Sequence, residues 1–249
     1  MTDQLSLRLE TDLPRLPETL RPMQPRPAGA PFDSADHVFE PSWGGLRALA
    51  FIGPAETAGA GDVRIIDVDG ANVGRALPEL AGLAVRVDAR SAVLDGELVA
   101  VDRRGRADGR ELATRIAGRP GRPVAYLAFD LLHLDGRSLL GMPLIRRRQL
   151  LRKVLRPGDE VVAVPAIAGE GRALWDAVVA QGIAGVMGRQ RTSPYLPGVR
   201  SRLWRFVPAE SSPATADESV DEPIEGPANA PVIALIRRLP FFEADDPAG

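Results

Sequence analysis

The sequence predicts an α+β domain of many short strands with helices between them, followed by a tail of different character. Three observations predict it. Short apolar runs bounded by Gly, Pro, Asp and Asn recur from residue 46 to residue 207. Between them, residues 110–116, 143–155 and 171–181 carry apolar side chains at helical spacing. After residue 208 the chain turns to proline, serine, alanine and acid, which offer too little apolar surface to offset the entropy of ordering.

Taken in order, residues 1–30 hold Pro14, Pro17, Pro22, Pro25 and Pro27 and read as an extended, loop-like lead-in arm. Strands are expected at 46–52 and 63–68, joined by an Ala- and Gly-rich connection. Asp69-Gly70 signals a turn, residues 76–83 a short helix, and residues 84–87 a further strand. Residues 92–101 form an apolar strand interrupted at Asp95-Gly96-Glu97, and Arg103-Arg104-Gly105-Arg106 makes a basic turn. A strongly apolar strand covers 124–134 and ends at Asp135-Gly136.

Residues 143–155 read as an amphipathic helix, with Leu144, Leu150, Leu151 and Leu155 inward and Arg146, Arg147, Arg148, Arg152 and Lys153 on the charged side. Shorter strands follow at 161–164, 185–187 and 203–207, with a helix at 171–181. In the tail, Val232, Leu235, Ile236 and Leu239 share one helical face that Pro240 should end. The expected division is an arm over 1–30, a body over 31–208, a disordered acidic linker over 209–230 and an apolar segment over 231–249.

Composition narrows the chemistry. With 249 residues, 45% of them hydrophobic, the chain can build a substantial core. It has no cysteine, which excludes disulfides and thiolate metal sites and agrees with a reducing compartment. No apolar run approaches the ~18 residues that cross a bilayer, and the N-terminal stretch lacks a signal-peptide core. The expectation is a cytoplasmic chain without a membrane partner. The net charge of −2 conceals an asymmetry: nine acids oppose two arginines in residues 209–249, leaving 29 basic and 24 acidic side chains before them. A mildly basic body permits contact with nucleic acid, and equally suits a mixed solvated surface. Of the 31 basic residues only Lys153 is lysine, and arginine does not serve as an amine nucleophile. His37 and His133 have no metal-ligand spacing and read as structural, so no metal site is expected.

One stretch carries more. Phe39-Glu40-Pro41-Ser42-Trp43-Gly44-Gly45-Leu46-Arg47 resembles the nucleophile segment of ATP-dependent DNA ligases and their nucleotidyltransferase relatives, Phe-Glu-Pro-Lys-Trp-Asp-Gly-Tyr-Arg. Glu40, Pro41, Trp43, Gly45 and Arg47 match. Val93-Leu94-Asp95-Gly96-Glu97-Leu98-Val99 resembles the family's Leu-Asp-Gly-Glu-Leu-Val strand, and Phe129-Asp130-Leu131-Leu132 its Phe-Asp-Leu-Leu strand. Residues 182–189 and 193–204 resemble its closing region. Four stretches in the family's order imply a DNA ligase/mRNA-capping-type nucleotidyltransferase fold, with antiparallel sheets flanked by helices. Active members continue into an oligonucleotide-binding barrel of roughly five strands; the residues after Pro208 carry no such pattern.

In that family a lysine attacks the α-phosphorus of ATP and passes AMP to a 5′-phosphate at a DNA nick. The lysine position is Ser42 here. Such attack needs a desolvated amine of lowered pKa, and a hydroxyl in its place needs an adjacent base. The nearest carboxylate position is Gly44, the metal-binding glutamate is Ala184, the next lysine is Arg189, and the closing lysine pair is Phe206 and Pro208. The family's Ser-Arg-Asn-Gly turn reads Asp67-Val68-Asp69-Gly70. Phosphoryl-type transfer depends on positioning and charge stabilisation by such groups. The adenosine half does match: Glu40 at the residue near the adenine amine, Arg47 and Glu97 at ribose contacts, Phe129 at the ring that stacks on adenine. These four are the candidate nucleotide-binding residues, for weak ATP or AMP binding, with no catalytic residue assigned. Plainer readings stand beside them: Phe129, Trp43 and Trp204 as core, Glu97 paired with Arg47, Lys153 and residues 146–148 on a solvated face.

The resemblance thus implies an inactive adenylation domain serving as a binding or regulatory module in DNA repair or recombination, with DNA as the implied partner. Residues 231–242 offer either a helix for a protein partner or a segment that folds back on the body. Two alternatives remain: an active ATP-dependent DNA ligase or adenylyltransferase using displaced residues such as Lys153, and an adenosine-nucleotide sensor without turnover.

Overall fold

A computed structural model describes residues 16–57, 60–209 and 231–239, without the side chains at 54–61. The first half of the lead-in arm, nearly all of the acidic linker and the end of the tail therefore lie outside the described residues. The chain begins with β1 (Gln24–Pro27), β2 (Ser34–Ser42), β3 (Leu46–Thr57) and β4 (Ala60–Asp67). Two 3₁₀ turns (Val73–Ala76 and Pro78–Leu80) lead to α1 (Leu83–Arg86), β5 (Ala92–Val99) and α2 (Gly109–Ile116). Then come β6 (Ala125–Leu134), β7 (Arg137–Ser138), α3 (Leu144–Val154), β8 (Val161–Ala163) and β9 (Ile167–Gly169). The order closes with α4 (Gly171–Ala180), β10 (Gly185–Gln190), β11 (Arg200–Pro208) and α5 (Val232–Ile236).

These strands form two sheets, β1-β11-β10-β2-β9 and β4-β3-β5-β6-β7, with β8 parallel to β6. The second sheet is buried on both faces. From β3, Ala48, Ala50 and Ile52 enter a cluster roofed by Leu77, Leu80, Leu83, Leu112 and Leu151. Leu49 and Phe51 point the other way, to Tyr195 in the connection before β11 and Trp204 on β11 of the first sheet. Burial on both faces is why 92–101 and 124–134 read as continuous apolar runs rather than alternating ones.

Several expectations are corrected. Asp95-Gly96-Glu97 does not interrupt its strand: β5 runs through it, and a Cβ on Gly96 would lie 2.5 Å from the Tyr126 ring. Residues 84–86 are helical and only Val87 is extended, while the helix expected over 76–83 is broken into 3₁₀ turns around Pro78, which lacks the N–H an α-helix needs. The lead-in arm contributes a strand, β1, parallel to β11. The amides of Gln24 and Ala28 donate to β11 and the residue before it, so Pro25 and Pro27 are tolerated at a sheet edge.

The largest correction concerns α3. Arg147 and Arg148 are not on a solvated face; both are buried, while Arg146 and Lys153 are exposed. Arg147 grips Asp130 of β6 through Nε and Nη2, each 2.8 Å from a carboxylate oxygen, and neither side chain is exposed to any extent. Arg147 Nη1 also donates to the carbonyls of Met142 and Ser193. A run of three arginines offers no hint of this, because the carboxylates that claim two of them are distant in sequence.

The tail folds back. Val232, Ile233, Leu235, Ile236 and Leu239 are buried in a cluster with Phe39, Trp43, Phe129, Val178 and Ile183. The apolar face that sequence offered to a partner is covered, among the described residues, by this chain's own core.

Breaking a buried pair by removing one charge costs about 3–5 kcal/mol, whereas replacing both by apolar groups is often neutral. Arg147→Met is therefore expected to lose that much stability in urea unfolding. Arg147→Met combined with Asp130→Leu should recover most of it; a double variant no better than the single one contradicts the pairing.

Candidate nucleotide site

The site is built at the end of β2. Ser42 pairs in register with Gly185 of β10, which sets the position expected for a nucleophile beside Ala184. The chain then turns through Trp43, Gly44 and Gly45 into β3. Gly44 has φ +76°, and a Cβ there would lie 2.8 Å from the Ala184 Cβ. A Cβ on Gly45 would lie 2.1 Å from the Leu98 carbonyl oxygen, so only glycine fits. The two positions where the resemblance expects carboxylates are thus small residues in mutual contact.

Glu97 holds this turn in place. Its carboxylate accepts from the Gly45 amide at 2.5 Å and the Trp43 amide at 3.4 Å. Burial pushes its pKa above the ordinary carboxylate range, the loop amides oppose this, and the charge of Glu40 adds to the rise. The alternative that Glu97 pairs with Arg47 is corrected: Arg47 grips Asp95 instead, with Nε 3.0 Å from Oδ1 and Nη2 2.5 Å from Oδ2. The Tyr195 hydroxyl donates to the same Asp95 at 2.7 Å. Burial works against the Arg47 charge, but Asp95 and Tyr195 together hold its pKa above the usual value.

Glu40 is 2% exposed and is met by two arginines. Arg148 Nη1 donates to Oε2 and Arg189 Nε to Oε1, both at 2.6 Å. Arg148 also donates to the carbonyls of Phe129 at 2.9 Å and Val164 at 2.6 Å. Phe129 sits at an irregularity in the β5–β6 ladder, where Asp95 and Gly96 pair with Asp130 and Ala128 and skip it. Such a bulge re-aims a side chain toward a site. The Arg189 guanidinium lies over the Phe129 ring, 4.0 Å from its centroid, and over Trp204 at the same distance.

Glu40, Ser42, Arg47, Glu97, Phe129 and Arg189 line one cleft of about 160 Å³. The structure therefore brings all four candidate nucleotide residues together around Ser42. Pockets that enclose a drug-sized ligand run roughly 300–1,000 Å³, so this cleft is a partly filled one. Sequence reasoning missed Asp95, Arg148 and Tyr195. Asp95 sits in an Asp-Gly pair that reads as a turn, and Arg148 in a run that reads as surface. Lys153 is exposed on α3 and does not line the cleft. The Asp67–Gly70 turn lines a separate hollow of about 630 Å³ with residues 18–22. Among the described residues no group of three or more His, Cys, Asp or Glu converges to hold a cation. With Gly44 and Ala184 at the implied positions, the residues present do not fit a divalent metal there.

The raised pKa of Glu97 makes a prediction about pH. A carboxyl whose pKa rises on folding contributes stability that is full below the unfolded value of about 4.3 and is lost as pH climbs through the folded value. Glu97→Gln removes that loss. Urea titrations should find the parent losing stability relative to Glu97→Gln as pH rises from about 4 to 7.5; a stability difference that does not change with pH contradicts the assignment.

Comparison with known proteins follows the same lines. The family described as "ATP dependent DNA ligase domain" matches residues 32–205. The multifunctional non-homologous end joining protein LigD of Mycobacterium bovis is 35% identical over 167 residues, 67% of this chain and 21% of the relative. A probable DNA ligase of Saccharopolyspora erythraea is 36% identical over 149 residues, 59% of this chain and 29% of the relative. The chain thus spans less than a third of either relative's length. A solved structure of mycobacterial DNA ligase D complexed with ATP and MES superposes with a TM-score of 0.63 at 30% identity, covering 76% of this chain and 60% of that one. The ligase domain of M. tuberculosis LigD gives 0.62 at 29% identity, over 75% and 58%. Motif order, sheet pairing and these matches agree that the chain belongs to the ATP-dependent DNA ligase family, through its adenylation domain.

Proposed function

We propose that this chain is an adenylation domain that has lost nucleotidyl transfer and acts as a binding or regulatory module on DNA, in end repair. The observation that carries the reading is the state of the turn after β2. Position 42 presents a hydroxyl, and Gly44 packs where a Cβ would approach the Ala184 Cβ to 2.8 Å. Nucleophile and carboxylates are missing together. Arg189 keeps a charge near the cleft, but both it and Arg148 are engaged by Glu40. The relatives named for non-homologous end joining support the repair setting. The excess of basic residues before position 209 supports contact with DNA phosphates.

A second reading is favoured by the cleft itself. Arg47, Glu97 and Phe129 share one wall of it, which suits adenosine or AMP held without turnover. An aromatic stack contributes about 0.5–1.5 kcal/mol beyond burial, so binding without phosphate contacts is weak.

Incubation of the purified chain with α-labelled ATP and magnesium, beside an active ligase, tests the reading. No label is expected on the parent chain, nor on Ser42→Lys, since restoring the amine leaves positions 44 and 184 without carboxylates. Label on the parent chain overturns the proposal in favour of an active adenylyltransferase, and its loss in Lys153→Ala would identify that amine as recruited.

A further inference from the structure

We propose that Arg189 is an internal occupant of the base slot, so that a nucleotide enters this cleft only by displacing it. The proposal rests on the reading of the cleft as an adenosine site. That reading gives a bound base two contacts, a stack on Phe129 and a hydrogen bond from its amine to Glu40. Arg189 already makes both. Its guanidinium is planar and stacks 4.0 Å from the Phe129 centroid, and its Nε–H donates to Glu40 Oε1 at 2.6 Å. Trp204, also 4.0 Å from the guanidinium carbon, adds a second ring contact.

The occupant is confined: Arg189 is 2% exposed, and β10 fixes its backbone between β2 and β11. One face of Phe129 does not hold a guanidinium and a purine at once. The other requirement of a switch is that the closed arrangement be imperfect, and it is. Arg189 Nη1 has no hydrogen-bond partner among the described residues, and a buried donor left unpaired is costly. The Arg47 guanidinium stands over the same two rings, 5.4 Å from Phe129 and 5.1 Å from Trp204, so two like charges share the slot's walls. An acceptor on an incoming ligand would meet Nη1, and release of Arg189 would relieve the crowding. Apparent affinity falls by the fraction of molecules in which the slot is open, which makes Arg189 a determinant of whether this site responds to nucleotide at all.

The test is calorimetry of AMP against the full chain, Arg189→Ala, Arg189→Met (which keeps an apolar stem), and Arg189→Met combined with Phe129→Ala. The expected result is binding at least about tenfold tighter in the two single variants than in the parent, lost again when Phe129 is removed. Equal affinity in parent and single variants overturns the proposal and leaves the adenosine reading standing. No binding to single variants that circular dichroism finds folded overturns both. Should the single variants fail to fold, the Arg189 side-chain Nε–H signal of the parent decides by NMR. Movement of that signal on adding AMP supports displacement; a signal unmoved at the highest AMP reached overturns it.

Discussion

A carboxylate taken out of water must be matched by charge and hydrogen bonds, and this fold is arranged around three that are. Asp95, Asp130 and Glu40 are all buried. Each is gripped by arginine: Asp95 by Arg47, Asp130 by Arg147, and Glu40 by Arg148 and Arg189. Leaving any one unmatched would cost several kcal/mol. The Glu40 cluster ties β2 and β10 of one sheet to α3, and Arg148 passes on to the carbonyl of Phe129 in the other sheet. Arginine suits this role where lysine would not, because its fork reaches a carboxylate and a carbonyl at once.

The same pairs determine what the cleft can do. Its walls are groups already engaged with the protein, not groups waiting for a reactant. Glu97 serves the backbone of the turn, Arg47 serves Asp95, and Phe129 faces a guanidinium. Beside them the turn after β2 packs near the residue before β10, where a Cβ on Gly44 would crowd Ala184. The buried segment Val232–Ile236 adds its side chains to the cluster that includes Trp43 and Phe129, directly behind the cleft. Most polar groups around the cleft are engaged within the protein, Arg189 Nη1 being an exception, and an apolar cluster backs them.

Much of this was legible in the sequence. Strand 124–134, the helices near 110, 144 and 171, and the tail helix follow from apolar periodicity, and the motif order pointed to the family and to four candidate residues that line one cleft with Ser42. What escaped depended on distant partners. Arg147 and Arg148 look like surface until Asp130 and Glu40 are brought under them. Asp95-Gly96 looks like a turn because its neighbour Tyr126, which fills the space a side chain at Gly96 would need, is 30 residues away in sequence. The β1 strand hides behind prolines whose missing amides matter only if the strand is central. In each case tertiary pairing overrode a local signal.

The proposed loss of transfer extends past the nucleophile to the groups that steady a transferring phosphate. Sealing of a nicked duplex whose 5′-phosphate already carries AMP separates the two, because that substrate no longer needs the missing amine. The chain, with magnesium and no ATP, is predicted to leave the nick open while a control ligase closes it. Sealing by this chain at a rate near the control's would contradict the account.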